Sequence, residues 1–287
     1  MTTIRTFIRT HPLATYFVLT FAISWGGVLL VVAPHGIPGT TEQTDRLFPY
    51  VYLAMLAGPS VAGILLTGLV QGRAGLRDLL SRLLRWRVGA RWYAVAILAA
   101  PLLTLVVLLV LSLLSREFLP GILATDDRVS LLVFGIAVGL GAGFFEELGW
   151  TGFATPALRR RYDVLTTGLI LGVLWGAWHF LVNVWGGGNW AGSLSSALFL
   201  PSVLTSLAVL PAYRVLMVWV HDRTESLLVA MLMHVSLTAS MVILQPLALG
   251  MPGVTYVLTF AAALWIVVGV VVSGGQLPRD RVREGVA

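Results

Sequence analysis

Long apolar runs separated by short polar connections dominate this chain. A helix needs about 20 predominantly apolar residues to cross roughly 30 Å of hydrocarbon. Eight runs meet that requirement: 13–33, 50–70, 92–114, 130–153, 165–185, 196–220, 227–245 and 251–273. Gly186, Gly187 and Gly188 interrupt the apolar pattern between the fifth and sixth and predict a flexible outer turn. The longest connections, around His35–Pro49 and Arg116–Arg128, are short and rich in Pro, Gly and Asp. No internal repeat of the kind that builds inverted transporter halves stands out. The predicted architecture is all-α: a polytopic membrane protein of about eight transmembrane helices, with residues 1–287 forming a single membrane domain.

Composition agrees with that reading. With 57% apolar and 11% charged residues, a chain of 287 residues has too little polar surface to cover a soluble globule. Arg5 and Arg9 precede the first run, which is long enough to span and shows no small-residue cleavage site, so an uncleaved signal-anchor helix is expected. All 19 basic residues are Arg. On the predicted topology Arg46, Arg116 and Arg128 lie on one side and the remaining 16 on the other. That asymmetry puts both termini in the cytoplasm.

Six arginines fall between Arg73 and Arg91, interleaved with Leu76, Leu79, Leu80, Leu83 and Leu84 at helical spacing. Segment 73–91 is therefore expected to be an amphipathic helix lying on anionic headgroups, which accounts for the net charge of +6. No soluble module accompanies the Arg cluster, so the charge implies membrane lipids as partners and no nucleic acid. The absence of cysteine removes disulfides, thiolate metal sites and cysteine nucleophiles together. An Arg-only, Ala-, Val- and Gly-rich composition fits a GC-rich bacterial genome and hence a bacterial plasma membrane.

Four ionisable side chains stand out inside the apolar runs: Glu146, Glu147, His179 and His234. A charge at bilayer depth costs about 2.5–3.5 kcal/mol on insertion scales, so such residues mark function and face one another or a wet cavity. Two acids and two histidines suggest hydrolytic chemistry. Adjacent helical residues point about 100° apart, so one glutamate should face the reaction while the other supports it. Glu147 and Thr151, Trp175 and His179, His179 and Asn183, and His234 and Thr238 each share a helix face at i,i+4. On the predicted boundaries Glu146 and His234 match in depth, in the cytoplasmic half, with His179 somewhat deeper.

Glu146-Glu147-x-x-x-Thr151 within FEELGWTGFATPAL, Trp175-x-x-x-His179 within LGVLWGAWHFLVN, and His234-x-x-x-Thr238 after DRTESLLVAMLMH resemble the three motifs of the CPBP family of intramembrane proteases. That family (CAAX protease and bacteriocin-processing, or Abi) includes the CAAX prenyl endopeptidase. The resemblance implies an eight-helix fold with a conical cavity open to the cytoplasmic half and a catalytic core over 130–245. It also implies hydrolysis of a peptide bond in a membrane-anchored peptide or protein substrate, with bacteriocin processing or self-immunity as the bacterial contexts. By position, Glu146 would activate water and Glu147 would support it or bind a metal. His179 and His234 would ligate a metal or stabilise the oxyanion. Both a zinc site of Glu147, His179 and His234 and a metal-free glutamate mechanism stand open.

Two positions depart from the family pattern. Thr151 stands where the first motif usually has Arg, and Thr238 where the last usually has Asn. Arg214, close in predicted depth to Glu146, would replace the lost guanidinium; alternatively it snorkels to the cytoplasmic headgroups, the reading given slightly more weight. Trp150, Trp175, Trp178 and Trp185 are expected to serve packing. Two further readings are a catalytically inactive scaffold or immunity protein of the same fold and, with less weight, a proton-coupled transporter.

Overall fold

The computed structural model describes residues 2–274, with side chains from residue 6; the Arg5 side chain and the tail arginines Arg279, Arg281 and Arg283 lie outside the described residues. The helices are α1 (Thr2–Thr10), α2 (Pro12–Val32), α3 (Thr41–Leu66), α4 (Gly72–Leu83), α5 (Ala90–Ser112), α6 (Gly121–Ala124) and α7 (Arg128–Gly149). They continue as α8 (Thr155–Arg159), α9 (Val164–Trp178), α10 (Phe180–Gly186), α11 (Ser196–Leu204), α12 (Leu210–Thr224), α13 (Leu227–Ile243) and α14 (Met251–Ser273). The protein is an all-α polytopic membrane protein. Among the described residues, 7 helical stretches are long and apolar enough to cross a membrane. The eighth expected span, α13, is an apolar helix of 17 residues.

Several of these stretches are continued through π-helical turns. One at Thr67–Gln71 joins α3 to α4, one at Trp150–Ala154 joins α7 to α8, and one at Thr205–Val209 joins α11 to α12. Such turns insert one residue into the i→i−4 ladder and are frequent at functional sites. Here two of the three flank the acid–histidine cluster described below. Side chains cap several helix starts: Thr40 and Gln43 form a reciprocal capping box on α3, and Asp163 and Ser226 accept from backbone amides at the starts of α9 and α13.

Within segment 73–91, α4 ends at Leu83 and α5 begins at Ala90. Leu79 and Leu83 pack against Leu148, Leu227 and Met231, while Leu76, Leu80 and Leu84 are exposed. Gly186 to Gly188 do not form a loose turn. Gly188 bridges Leu194 in an antiparallel pair, and a Cβ on Gly188 would collide with the Gly39 carbonyl.

Small residues let the helices that carry the polar cluster approach closely, as is usual where lipid removes the hydrophobic drive between helices. Gly135, Gly139 and Gly143 line the face of α7 that meets antiparallel α13. A Cβ on Gly143 would lie 2.7 Å from the Met231 carbonyl oxygen, and one on Gly139 2.9 Å from that of Val235. On α9, Gly168 faces Val215 of α12 at 2.5 Å in the same sense, and Gly176 meets Ser206. Antiparallel passes gather the loops at 33–40, 113–127, 187–195 and 244–250 at one end. There Gly39 donates to the Trp185 carbonyl at 3.0 Å, Gly121 to Leu244 at 3.3 Å and Gly250 to Ala197 at 3.2 Å. The Arg-rich connections lie at the other end.

Candidate active site

Glu147 is fully buried and is saturated with donors. Arg214 grips it with both terminal nitrogens, Nη1 to Oε2 at 2.8 Å and Nη2 to Oε1 at 2.9 Å. His234 Nδ1 donates to Oε1 at 2.7 Å, and the Thr151 hydroxyl donates to Oε2. An isolated carboxylate at this depth would be prohibitively costly, whereas a bidentate, charge-assisted pair with further donors offsets desolvation. Arg214 is itself 0% exposed, with its guanidinium carbon 4.2 Å from the Trp175 ring centroid in a cation–π contact. Arg214 therefore does not snorkel. The ion pair cancels two charges at once, whereas snorkelling would leave Glu147 alone in the core.

Glu146 points the other way, as expected from its offset around the helix, and lines a cavity. Trp175 Nε1 donates to its Oε2 at 2.8 Å, and His234 Nε2 stands 4.0 Å from the same oxygen. His234 thus bridges the two glutamates: Nδ1 is committed to Glu147 and Nε2 faces Glu146. His179 sits where α9 ends and α10 begins, with Nδ1 2.9 Å from the Trp175 carbonyl oxygen. A carbonyl only accepts, so Nδ1 carries the proton and Nε2 is left for the cavity. Trp178 packs edge-on against His179 at 4.8 Å between centroids, and Trp175 against His234 at 5.0 Å.

The supporting residues are only partly placed as expected. Thr151 reaches Glu147 across one turn, but Asn183 does not serve His179; its amide donates to Ser206 Oγ on the neighbouring helix stretch at 2.9 Å. The two residues remain one helical turn apart, with the Asn183 N–H donating to the His179 carbonyl at 2.9 Å, and the side-chain amide goes instead to the Ser206 hydroxyl that packing brings within reach. Thr238 lines the cavity one turn beyond His234. Trp175 is more than packing, since it donates to Glu146 and carries Arg214 on its ring. Sequence reading missed Phe48, Tyr52 and Met55, which line the cavity from α3, and Tyr213, whose hydroxyl donates to the Met233 carbonyl at 2.8 Å beside His234. An apolar run offers no periodicity that singles them out.

The cavity encloses about 580 Å³. Its floor is Glu146, Trp175 and His234, exposed by 4%, 2% and 1% respectively, and its outer lining includes the exposed residues Gln245 and Leu249. Thr44, Gly186 and Ala248 belong to the same rim, at the end where the 33–40, 187–195 and 244–250 loops meet. The cavity consequently opens at the end away from the Arg-rich connections. The stretch carrying Glu146 runs on to Arg159, so Glu146 lies about 20 Å from that end, in mid-stretch rather than in one half.

The expected zinc set does not fit. Both oxygens of Glu147 are occupied by a permanent cation, a hydroxyl and an imidazole N–H, and His234 turns its protonated nitrogen towards it. No group of three or more His, Asp or Glu is arranged to hold a metal ion among the described residues.

Fold and cluster together define an integral membrane protein with a buried Glu–His–Arg constellation at the floor of an apolar cavity. Residues 128–240 match the family described as type II CAAX prenyl endopeptidase Rce1-like. The chain is also 24% identical over 170 residues to "CAAX prenyl protease 2" of Methanococcus maripaludis, an alignment covering 57% of this chain and 58% of that protein. It thus spans less than two thirds of that relative's length. The two matches support a CPBP/Rce1-like family for this chain, and the matched region contains Glu146, Glu147, His179, Arg214 and His234.

Proposed function

We propose that this protein is an intramembrane endopeptidase that hydrolyses a peptide bond in a membrane-associated peptide or protein. The observation that carries the reading is the division of labour between adjacent glutamates: one open to a cavity and the other sealed beneath it by Arg214. Glu146, held by the Trp175 indole N–H, takes a proton from water as general base. The 4.0 Å gap between Glu146 Oε2 and His234 Nε2 suits a water that contacts both. The resulting hydroxide attacks the carbonyl carbon, and the proton then passes from Glu146 to the leaving amine as the C–N bond breaks.

His179 and His234 each have Nδ1 engaged, so Nε2 is the atom offered to the substrate. Protonated there, either ring donates to the developing oxyanion, a contribution worth about 2.7–4 kcal/mol where a single donor has been removed from an enzyme. Glu147 and Arg214 are positioning residues. They hold the His234 ring and balance charge without touching substrate. No step passes through a metal. Thr238 offers only a hydroxyl at the cavity wall where the family usually has an amide, which makes the two histidines the principal donors.

The test compares purified wild type with Glu146→Ala for cleavage of a diverse library of membrane-anchored peptides, with metal content measured on the same samples. The expected result is cleavage by wild type without stoichiometric metal, abolished by Glu146→Ala. Cleavage that persists in Glu146→Ala would overturn the mechanism. A folded wild type that cuts nothing a related active protease cuts would point to the scaffold or immunity reading.

A further inference from the structure

We infer that Asn183, held by Ser206, is a backbone-recognition subsite: its side-chain amide pairs with the main chain of the bound peptide about two residues from the scissile bond. The position relative to that bond rests on the endopeptidase reading. The contact itself needs no hydrolysis.

Asn183 and Ser206 both line the cavity, and neither takes part in the acid–histidine cluster. On the same wall, the hydroxyls of Thr44, Ser202 and Thr205 each donate to a carbonyl of their own helix at 2.9 Å, and Tyr52 donates to the Val138 carbonyl at 2.5 Å. Asn183 turns away from its own helix instead. Its Nδ2 donates to Ser206 Oγ at 2.9 Å, across to the stretch that joins α11 to α12. That bond uses one amide proton; among the described residues the carbonyl oxygen Oδ1 and the second N–H have no protein partner.

The amide is held firmly. Ser206 lies in the π-helical turn Thr205–Val209, and its carbonyl packs so closely on α9 that a Cβ at Gly176 would collide with it. Gly176 follows Trp175, the donor to Glu146, so the anchor of the amide and the holder of the general base share one stretch of helix.

A carboxamide carries the donor and the acceptor of a peptide unit, so its uncommitted atoms match a peptide N–H and C=O. A peptide lying among Phe48, Met55, Val182 and Leu237 sheds water from its backbone, where an unpaired polar group is costly. Asn183 meets that need whatever side chain the peptide carries, so the contact sets register rather than sequence. Its reach follows from the helix. The Asn183 N–H donates to the His179 carbonyl at 2.9 Å, so the two residues stand one turn, about 6 Å, apart along the axis. An extended chain rises about 3.3 Å per residue. With the scissile carbonyl at His179 Nε2, the residue paired with Asn183 is about two positions away.

The test uses full-length Glu146→Gln in detergent micelles, so that nothing is cleaved. The probe is a fluorescein-labelled nonapeptide of defined Ala, Leu and Val sequence, together with its singly N-methylated versions; binding is read by anisotropy against protein-free micelles. The expected result is saturable binding of the parent peptide, weakened by roughly 5- to 150-fold when one or two neighbouring positions are methylated, the span for a buried partner left unsatisfied. Adding Asn183→Leu should weaken the parent by a similar factor and flatten the methylation profile. Adding Ser206→Ala, which keeps the amide but removes its anchor, should leave the minimum at the same position and make it shallower; this second variant guards against Asn183→Leu failing to fold. No saturable binding, a flat profile in Glu146→Gln, or a minimum that keeps its depth in Asn183→Leu would each overturn the inference, the last because a purely structural Asn183 weakens every peptide alike. A wild type that hydrolyses nothing would fail the protease reading and leave this binding result standing.

Discussion

Replacing Arg214 with Met tests the cluster at its most exposed assumption, that a buried ion pair organises the site. The substitution preserves much of the side-chain volume and leaves Glu147 with the Thr151 hydroxyl and the His234 Nδ1 proton as donors but without the guanidinium that now sits 2.8 and 2.9 Å from its oxygens. Breaking a buried pair from one side costs about 3–5 kcal/mol. Glu147 can limit that cost by taking up a proton, but a protonated carboxyl is a poorer acceptor for His234, and hydrogen bonds to charged groups are worth about 1.5–3 kcal/mol. Where a carboxylate sets a catalytic histidine's tautomer, its neutral replacement lowers the rate by about 10⁴ in the serine-protease triad. A fall of about 10²–10⁴-fold in kcat with little change in KM is expected here.

The double variant Arg214→Met with Glu147→Met removes both charges together. Replacing a buried pair with apolar side chains is often neutral or stabilising, so the double variant should recover to within about 1 kcal/mol of wild type while remaining inactive. Denaturant unfolding in detergent micelles, followed by tryptophan fluorescence, reads the first quantity, and peptide cleavage reads the second. Arg214→Met as stable as wild type, or a double variant less stable than the single, would refute the argument.

Two other variants probe neighbouring parts of the same network. Trp175→Phe deletes the indole donor 2.8 Å from Glu146 and thins the ring beneath Arg214; a loss of about 1.5–3 kcal/mol of transition-state stabilisation would appear as a roughly 10- to 150-fold fall in kcat/KM, and an unchanged value would remove Trp175 from the mechanism. Thr151→Arg combined with Arg214→Ala moves the guanidinium to the helix that carries Glu147, one turn away. Unfolding measurements should show recovery of most of the stability lost in Arg214→Ala, whereas Thr151→Arg alone crowds a second cation beside Arg214 and destabilises; no recovery in the combined variant would mean the two positions are not interchangeable.

The apolar runs were legible because a membrane span is a local property. Twenty apolar residues declare a helix whatever they pack against, and predicted and observed starts agree closely for α2, α5, α9, α11 and α14. The cost of burying charge in hydrocarbon likewise made Glu146, Glu147, His179 and His234 conspicuous without any structure. What stayed hidden depends on contacts between distant segments. That Arg214 pairs with Glu147 instead of reaching for headgroups is settled by α12 lying against α9 and α13, 67 residues along the chain from its partner. Trp175 became a donor to Glu146, and Asn183 a partner of Ser206, through contacts between segments distant along the chain, which hydrophobicity does not encode.

The direction of the cavity shows the same limit. Composition distinguishes the two ends of the bundle by their arginines, but which end is hollow is a matter of shape. Glycines on α7 and α9 close the helices against one another, Tyr16, Trp150 and Phe153 fill the space towards the arginines, and the side chains of α3, α11 and α13 leave a gap towards the other end. A one-dimensional pattern records how apolar a segment is and where its charges lie; the volume left between packed helices is a sum over pairs of surfaces that meet only after folding.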